Sequence, residues 1–248
     1  MKRLLLVAAA AVTLCCGCGQ KQSFSEALEE YRAEYESIAE GENAEELLAE
    51  LNLKYYNRHR ADSLGLFIFK EMVYEPETYD LAGLYAEADT LISNNSQIQR
   101  IMKLNAVKSS LMSKDFIDIK GPDAITGQER SISEALADGK PLIVDFWASW
   151  CPPCRAEISG PLGEYVRANP DKCNVIGIAV WEKSVEDTRK AMEELGVSWP
   201  VIFTGGRDNS PSEMYGVCAI PSMFLISPEG KVIKFSYESK DIIEELEK

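Results

Sequence analysis

The first part of the chain repeats its apolar residues at a helical spacing. One stripe consists of Phe24, Leu28, Tyr31, Tyr35 and Ile38, which recur at steps of three and four residues and therefore share one face of a helix. Later stripes with the same period contain Ala44, Leu47, Leu48 and Leu51, then Leu81, Leu84, Tyr85, Ala88, Leu91 and Ile92, and last Ile98, Ile101, Met102, Leu104, Val107 and Leu111. Residues 18–112 are therefore predicted to form an α-helical N-terminal domain.

The pattern changes after Lys114. Residues 115–120 alternate apolar and polar side chains, which predicts a short strand, and residues 121–123 predict the turn that ends it. Residues 141–147 are nearly all apolar, as in a central strand covered on both faces. The elements predicted further on are a helix over 151–169, a strand over 174–181, a helix over 185–195, a strand over 201–203, a hairpin of 223–226 with 231–235, and a helix over 240–247. This order predicts that residues 113–248 form an α/β sandwich with a mixed sheet.

The first residues resemble an export signal. Lys2 and Arg3 precede the apolar run 4–14, which is shorter than the roughly 20 residues that span a bilayer. The cysteines at its exit resemble the lipobox of bacterial lipoproteins, in which cleavage occurs just before a lipid-bearing cysteine. We expect residues 1–17 to be the signal and Cys18 to carry the lipid. Cys16 and Cys15 remain alternatives because Cys15 stands where the lipobox prefers Leu, and secretion without a lipid is the other interpretation.

Charge and histidine content narrow the possible partners. The chain has 40 Asp and Glu against 26 Lys and Arg, a formal charge of −14, and ten of the Glu lie in residues 23–50. Such a chain is poorly suited to phosphate backbones, so we expect no nucleic-acid partner and membrane attachment only through the lipid. The single histidine, His59, excludes a His-rich metal site and is interpreted as a polar residue of the helical domain.

Candidate chemistry lies in a pair of cysteines between a predicted buried strand and a predicted helix. Cys151 and Cys154 enclose two prolines, which fix the spacing of the two sulfurs at the start of the helix. Because a helix start favours negative charge, Cys151 should have a lowered pKa and act as the attacking thiolate, with Cys154 as the resolving thiol. A zinc site would need two further Cys or His ligands at suitable spacing, and Cys173 and Cys218 each stand alone. A purely structural disulfide is the remaining alternative to a redox-active pair.

Three sequence segments resemble a known family. Residues 144–155, VDFWASWCPPCR, resemble the active-site segment of thioredoxin-fold proteins, and Ile220-Pro221 matches the place of their cis-proline. Residues 224–231 resemble the hairpin of the envelope TlpA/ResA-like thiol-disulfide oxidoreductases. The resemblance covers about residues 113–248 and implies a thioredoxin-like three-layer sandwich with a mixed central sheet. In arrangement, the helical domain resembles the N-terminal extensions of many envelope members.

The resemblance also assigns roles to individual residues. It implies that Cys151 is the nucleophile, Cys154 the resolving cysteine and Pro221 a cis-proline facing the disulfide, with Ile220 touching the substrate through its main chain. Asp145 matches the buried acid of thioredoxin, where burial would raise its pKa and let it accept the Cys154 proton through a water. A buried Asp without a kinetic role is the alternative. Further substrate contacts are expected from Trp150, Pro152 and Pro153.

Three more residues are of interest: Cys218 and Trp147 each have two interpretations, and Cys173 has one. Cys218 should lie near the active-site surface because it comes three residues before Pro221. It is either a small half-buried residue or a third redox thiol or glutathionylation site. Cys173 is interpreted as structural. Trp147 belongs either to the rim of the site or to the core.

Together these features predict an exported, lipid-anchored thiol-disulfide oxidoreductase of the cell envelope, facing the periplasm or held in the outer membrane. It would need no organic cofactor or metal, because the dithiol itself carries the electrons. Its partners would be disulfide-bearing envelope proteins and a membrane thiol-disulfide electron donor; the resemblance adds cytochrome c maturation substrates. The two prolines place no histidine between the thiols, which favours reduction of substrates over oxidation.

Two other functions stay open. Peroxiredoxins share the fold, but they have a proline seven residues and a threonine three residues before the peroxidatic cysteine, where this chain has Val144 and Ala148. A non-catalytic surface lipoprotein would bind a glycan or protein through its helical domain and use the disulfide only for structure. That function predicts that Cys151→Ala leaves the protein functional.

Overall fold

The structure is a computed structural model that describes residues 23–41, 43–206 and 210–248. The predicted export signal lies outside the described residues, as do Cys18 and its alternatives Cys15 and Cys16. Within the described part of the chain, no helix has both the length and the apolar character needed to cross a bilayer.

The segment before the sheet is helical. Its described helices are α1 Phe24–Ile38, α2 Ala44–Arg58, α3 Ser63–Met72, α4 Leu81–Ala86, α5 Thr90–Ser93 and α6 Ser96–Leu111. Side chains cap several of these helices: Ser23 forms a capping box with Glu26, and Asp62, Asp89 and Asn95 accept from backbone N–H groups. The apolar faces meet around Tyr55, Tyr56, Ile68, Phe69 and Ile98, which are fully buried. This helical region therefore has a core of its own.

A mixed five-stranded sheet organises the rest of the chain. Its elements are β1 Lys120–Pro122, β2 Glu129–Ser131, α7 Ile132–Ala135, β3 Leu142–Trp147, α8 Pro152–Ser159, α9 Pro161–Ala168, β4 Asn174–Ala179, α10 Val185–Leu195, β5 Val201–Phe203, α11 Ser210–Met214, β6 Ser222–Ile226, β7 Val232–Ser236 and α12 Ser239–Leu246. The strand order is β5-β4-β3-β6-β7, with β3, β4 and β5 parallel and the β3–β6 and β6–β7 pairs antiparallel. Strands β1 and β2 form a separate hairpin.

Both faces of the central strand are covered. Ile143 and Trp147 join the core beneath α8, α9, α10 and α12, whereas Val144 and Phe146 join the core on the opposite face. The result is a three-layer sandwich with a thioredoxin-like fold, preceded by a helical region, which confirms the predicted fold class.

The structure corrects several predicted element boundaries. Residues 115–119 form no strand and contribute only an isolated bridge from Asp115 to Lys231, and the predicted turn over 121–123 instead contains most of β1. The helix predicted over 151–169 ends at Ser159, with Gly160 as its C-cap, and Pro161 begins a second helix, because a proline lacks the N–H that would continue the first one. The stripe over 81–92 is divided between α4 and α5, and α3 was not predicted.

The helical region packs against the segment that leads into β6. Gly216 has φ +66°, and a Cβ at this position would lie 2.2 Å from the carbonyl oxygen of Leu104 in α6. The Lys108 ammonium, also in α6, donates to the Tyr237 hydroxyl at 3.0 Å. Cys218 packs against the core of the helical region. The chain that connects to Pro221 is thus held by α6.

Candidate active site

The two motif cysteines form a disulfide at the start of α8. Cys151 is the N-cap residue, and its Sγ accepts a hydrogen bond from the Cys154 backbone N–H at 3.2 Å. Pro152 and Pro153 occupy the first helical positions, where the missing N–H groups cost no helical hydrogen bond. Cys151 and Cys154 are 3% and 1% exposed. The positive end of the helix is therefore directed at the sulfur of Cys151.

A cis peptide bond lies on the other side of this sulfur. The bond joins Ile220 and Pro221, and the Ile220 carbonyl oxygen lies 3.7 Å from Cys151 Sγ. The pairing of β3 with β6, in which Phe146 is opposite Ser222, brings this segment beside the cysteine motif. The main chain just before Pro221 thus lies beside the Cys151 sulfur.

Asp145 is buried on the same side of the sheet as the disulfide. It lies two residues from both Ile143 and Trp147 on β3, so the three side chains share one face of the sheet. Ile143 and Trp147 belong to the core cluster that contains the two cysteines. The side chain is 1% exposed, and neither carboxylate oxygen has a hydrogen-bond partner among the described residues. Burial, with a smaller contribution from Glu157, raises the pKa of Asp145 to about 7. Such a carboxyl can take up or release a proton near neutral pH.

Glu157 is a second acid near the pair that the sequence patterns did not indicate. It lies three residues after Cys154 in α8, and its Oε2 accepts hydrogen bonds from the N–H and hydroxyl of Ser239. This contact ties α8 to the start of α12. The only sequence signal was its position on the helix that follows the motif.

A turn after β4 holds the segment that precedes Cys151. The buried Glu182 carboxylate accepts from both the N–H and the hydroxyl of Ser149. The Trp150 indole N–H donates to the carbonyl of Trp181 at 3.0 Å, and Trp181 itself has φ +58°. Sequence reasoning named Trp150 but missed Trp181 and Glu182. Their position just after the strand that neighbours β3 was the available signal, since parallel strands end at the same edge of a sheet.

The other candidate residues from the sequence differ in how exposed they are. Trp150 is 50% exposed at the rim, whereas Trp147 is fully buried and belongs to the core. Pro152 and Pro153 are exposed and Ile220 is partly buried. Cys218 is partly buried, with its Sγ 3.7 Å from both Asn105 Oδ1 and the Tyr237 hydroxyl.

Two polar or reactive groups lie away from the pair. Burial raises the pKa of the Cys173 thiol to about 11, which makes it a poor nucleophile at neutral pH. His59 is in the helical region, with Nδ1 2.8 Å from an Asp62 carboxylate oxygen. In the parts of the chain that the structure describes, His, Cys, Asp and Glu side chains form no group of three or more that could hold a metal ion.

The family assignment agrees with this geometry. The model of the AhpC/TSA family matches residues 112–235, so the chain belongs to that family. Within it, the chain is TlpA/ResA-like: it is 31% identical to thiol-disulfide oxidoreductase ResA of Bacillus subtilis over 96 residues, which cover 39% of this chain and 52% of the relative. It is also 29% identical over 110 residues to thiol:disulfide interchange protein HelX of Rhodobacter capsulatus, with coverage of 43% and 58%. The chain thus spans between half and three fifths of the length of these two relatives.

Two solved structures align with part of this backbone. One is the thioredoxin domain of a thiol-disulfide oxidoreductase from Bacteroides vulgatus, with a TM-score of 0.47, 25% identity, and coverage of 55% of this chain and 95% of that chain. Another is a thiol-disulfide oxidoreductase from Bacteroides fragilis, with a TM-score of 0.49, 22% identity, and coverage of 54% and 98%.

Proposed function

We propose that the protein is an exported, membrane-anchored thiol-disulfide oxidoreductase that reduces disulfides in other proteins. One observation carries the proposal: the Cys151–Cys154 disulfide lies at the start of α8, with Cys151 Sγ 3.7 Å from the Ile220 carbonyl oxygen and next to a cis-proline. The names of the ResA and HelX relatives agree with it.

The reduction of a substrate proceeds in two exchange steps. The Cys151 thiolate attacks one sulfur of the substrate disulfide, a Cys151–substrate bond forms, and the other substrate sulfur leaves as a thiol after taking up a proton. The Cys154 thiolate then attacks Cys151 Sγ, which releases the second substrate thiol and forms the disulfide of the oxidised protein. Two electrons pass to the substrate, so a thiol donor has to reduce the pair before the next cycle.

The surrounding residues favour each step. The Cys154 N–H and the positive end of α8 stabilise the Cys151 thiolate, and the Ile220 main chain orients an extended substrate segment beside it. Cys154 is nearly inaccessible, so its thiol needs an internal proton acceptor before it can attack. Asp145, with its pKa raised to about 7, takes this proton through a water and passes it to solvent.

The cellular setting of the proposal rests on the first residues of the sequence. Residues 1–17 serve as an export signal, Cys18 carries a lipid, residues 18–112 form the helical domain and residues 113–248 the redox domain. The substrates are disulfide-bearing envelope proteins, among them cytochrome c maturation substrates. A membrane thiol-disulfide protein supplies the electrons, and Pro152-Pro153 between the thiols favours this direction because no cation there stabilises the reduced pair.

Insulin reduction tests the activity. We expect Cys151→Ala to abolish reduction of insulin by the reduced protein and Cys154→Ala to accumulate a mixed disulfide through Cys151, detectable by mass spectrometry. Cys173→Ser is the matched control and should retain the activity, because Cys173 precedes Asn174, which pairs with Leu142 at the end of β3 opposite to the cysteine motif. Full activity of Cys151→Ala would contradict the proposed role of Cys151. No reduction of insulin by the wild type would contradict the proposed function and favour a non-catalytic lipoprotein with a structural disulfide.

The reduction potential tests the direction. In a chain whose other cysteines are replaced by serine, equilibration with glutathione buffers should give a potential near that of thioredoxin, about −270 mV. A potential near that of a strong envelope oxidant, about −120 mV, would contradict reduction as the direction. Rapid oxidation of Cys151 by hydrogen peroxide, faster than its reaction with disulfides, would instead favour a peroxidase.

A further inference from the structure

A cleft of about 450 Å³ lies between the helical region and the rim of the disulfide site. Tyr74, Ile101 and Leu104 line it from the helical region, and Trp150, Trp181 and Val217 line it from the redox domain. Its size is at the lower end of the range for pockets that enclose a small ligand. The helical region therefore contributes one wall of a cavity next to the proposed active site.

Two residues that line the cleft are close in the chain to the reacting groups. Trp150 immediately precedes Cys151, and Val217 lies four residues before Pro221. The Trp150 side chain is 50% exposed, while its indole N–H is fixed by the Trp181 carbonyl. A polypeptide whose cysteine is bonded to Cys151 would therefore place a residue next to that cysteine over the cleft.

The wall formed by α6 is firmly attached to the redox domain. Leu104 in α6 touches the main chain at Gly216 so closely that a Cβ could not fit between them. Arg100 forms an ion pair with Glu213 at 3.1 Å, and Lys108 donates to Tyr237. These contacts fix the width of the cleft, as a specificity-determining surface requires.

The chemistry of the lining indicates the occupant. The wall is aromatic and aliphatic, and polar groups, the Gln97 amide and the Arg100 guanidinium, lie at its helical edge. An apolar side chain would fill the interior, while the polar edge could bond to the peptide main chain beside it. We propose that the cleft binds an aromatic or large aliphatic side chain next to the reacting cysteine of a substrate polypeptide, so that the helical region selects substrates. This inference rests on the proposed function.

Two disulfide-linked peptides test the selection. They differ only in the residues flanking the cysteine, both Phe in one and both Ser in the other, and bis(2-hydroxyethyl) disulfide serves as a small reference. The reduced full chain should react about tenfold faster with the Phe peptide than with the Ser peptide, relative to the reference, which is the scale on which an apolar pocket discriminates. Gln97→Trp, which fills the cleft from an exposed helix position, should remove this preference.

Gln99→Trp is the matched control, because Gln99 is exposed on the same helix and does not line the cleft. It should keep the preference for the Phe peptide. Equal rates for the two peptides, or loss of the preference in both variants, would overturn the inference and leave the proposed function intact. Failure of the wild type with all three disulfides would instead contradict the proposed function.

Cys218 provides a readout besides activity, because its partly buried thiol also lines the cleft. In a chain that keeps only Cys151 and Cys218, the mixed disulfide between Cys151 and the Phe peptide should slow alkylation of Cys218 several-fold more than the mixed disulfide with the Ser peptide. Equal alkylation rates would overturn the inference. Protection that appears without peptide and grows with protein concentration would also overturn it, since a second copy would then occupy the cleft.

Discussion

The raised pKa of Asp145 suits proton transfer near neutral pH but lowers the stability of the folded protein there. Its carboxyl has an ordinary pKa of 3.8 and a raised pKa of about 7 in the folded protein, chiefly because of burial. The folded state therefore holds its proton more tightly than the unfolded state does. The associated stability is fully present below pH 3.8 and is lost as the pH rises through about 7. Above neutral pH the fold contains a buried carboxylate without a hydrogen-bond partner among the described residues.

Asp145→Asn should remove this loss. Asparagine is neutral at every pH, so the variant should exceed the wild type in free energy of unfolding at pH 8 by up to about 4 kcal/mol, at 1.36 kcal/mol per pKa unit. At pH 4 the two should differ little. Urea unfolding of the oxidised proteins at both pH values measures this.

Asp171→Asn is the control for the loss of one negative charge, since the Asp171 side chain is 99% exposed. It should not reproduce the pH-dependent gain. A variant at Asp145 that is less stable than the wild type at pH 8 would contradict the raised pKa of the Asp145 carboxyl.

The sequence indicates some site residues much better than others. The cysteine spacing and the buried run around Asp145 are local patterns, so both can be recognised along the chain itself. Glu182 lies 31 residues after Cys151 and reaches Ser149 only because β4 pairs with β3. The positive φ of Trp181 has no sequence signature either, because it is imposed by the contacts of the turn.

At the scale of elements, the turn after β4 supports the loop before α8. Glu182 is buried and each of its carboxylate oxygens accepts a hydrogen bond from Ser149. An amide in its place is neutral, so both bonds lose their charge, and the Ser149 hydroxyl has to accept from the amide N–H instead of donating. Because a hydrogen bond to a charged group contributes about 1.5–3 kcal/mol and a neutral one about 0.5–1.5 kcal/mol, the loop that carries Cys151 should become less ordered.

Glu182→Gln should therefore lower the free energy of unfolding by about 1–3 kcal/mol and slow the reaction of reduced Cys151 with a small disulfide. Urea unfolding and stopped-flow thiol exchange measure the two effects. Glu186→Gln is the matched control, because the Glu186 side chain is 73% exposed and its ion pair with Arg189 is long, at 3.6 Å. Equal effects of the two substitutions would contradict a positioning role for Glu182.

Buried elements were easier to predict than exposed ones. The structure contains β3, α1 and α6. The apolar run of β3 and the stripe of α6 follow from burial, whereas in the α1 stripe only Tyr31 is buried, and Phe24 and Tyr35 are 46% and 40% exposed. The alternation over 115–119 has the same appearance as a strand, but this segment finds a strand partner only at Asp115. Strand pairing depends on residues that are distant in sequence, so periodicity alone could not exclude a strand over 115–119. The break before Pro161 was different, because the proline itself was a readable signal.

At the scale of the whole molecule, the helical region is attached mainly by close packing. Lys108 is 3% exposed, and burial lowers its pKa; its ammonium lies 3.9 Å from the centroid of the Phe235 ring and donates to Tyr237. The contact at Lys108 is therefore made of ring faces and a hydroxyl around one cation. Added salt should weaken it little, since screening acts mainly on exposed charges.

Gly216 allows α6 of the helical region to approach the segment that leads into β6, and Gly216→Ala should push α6 away from this segment. Gly196→Ala is the matched control, because both glycines have φ +66° but a Cβ at Gly196 would meet nothing within 4 Å. Both variants carry the cost of a left-handed alanine, about 1–2 kcal/mol. Gly216→Ala should add a further loss of about 1–3 kcal/mol from overpacking against α6, measured by urea unfolding. It should also weaken the preference for Phe-flanked disulfides, because the wall formed by α6 moves. Equal losses in the two variants would mean that α6 does not press on this segment in solution.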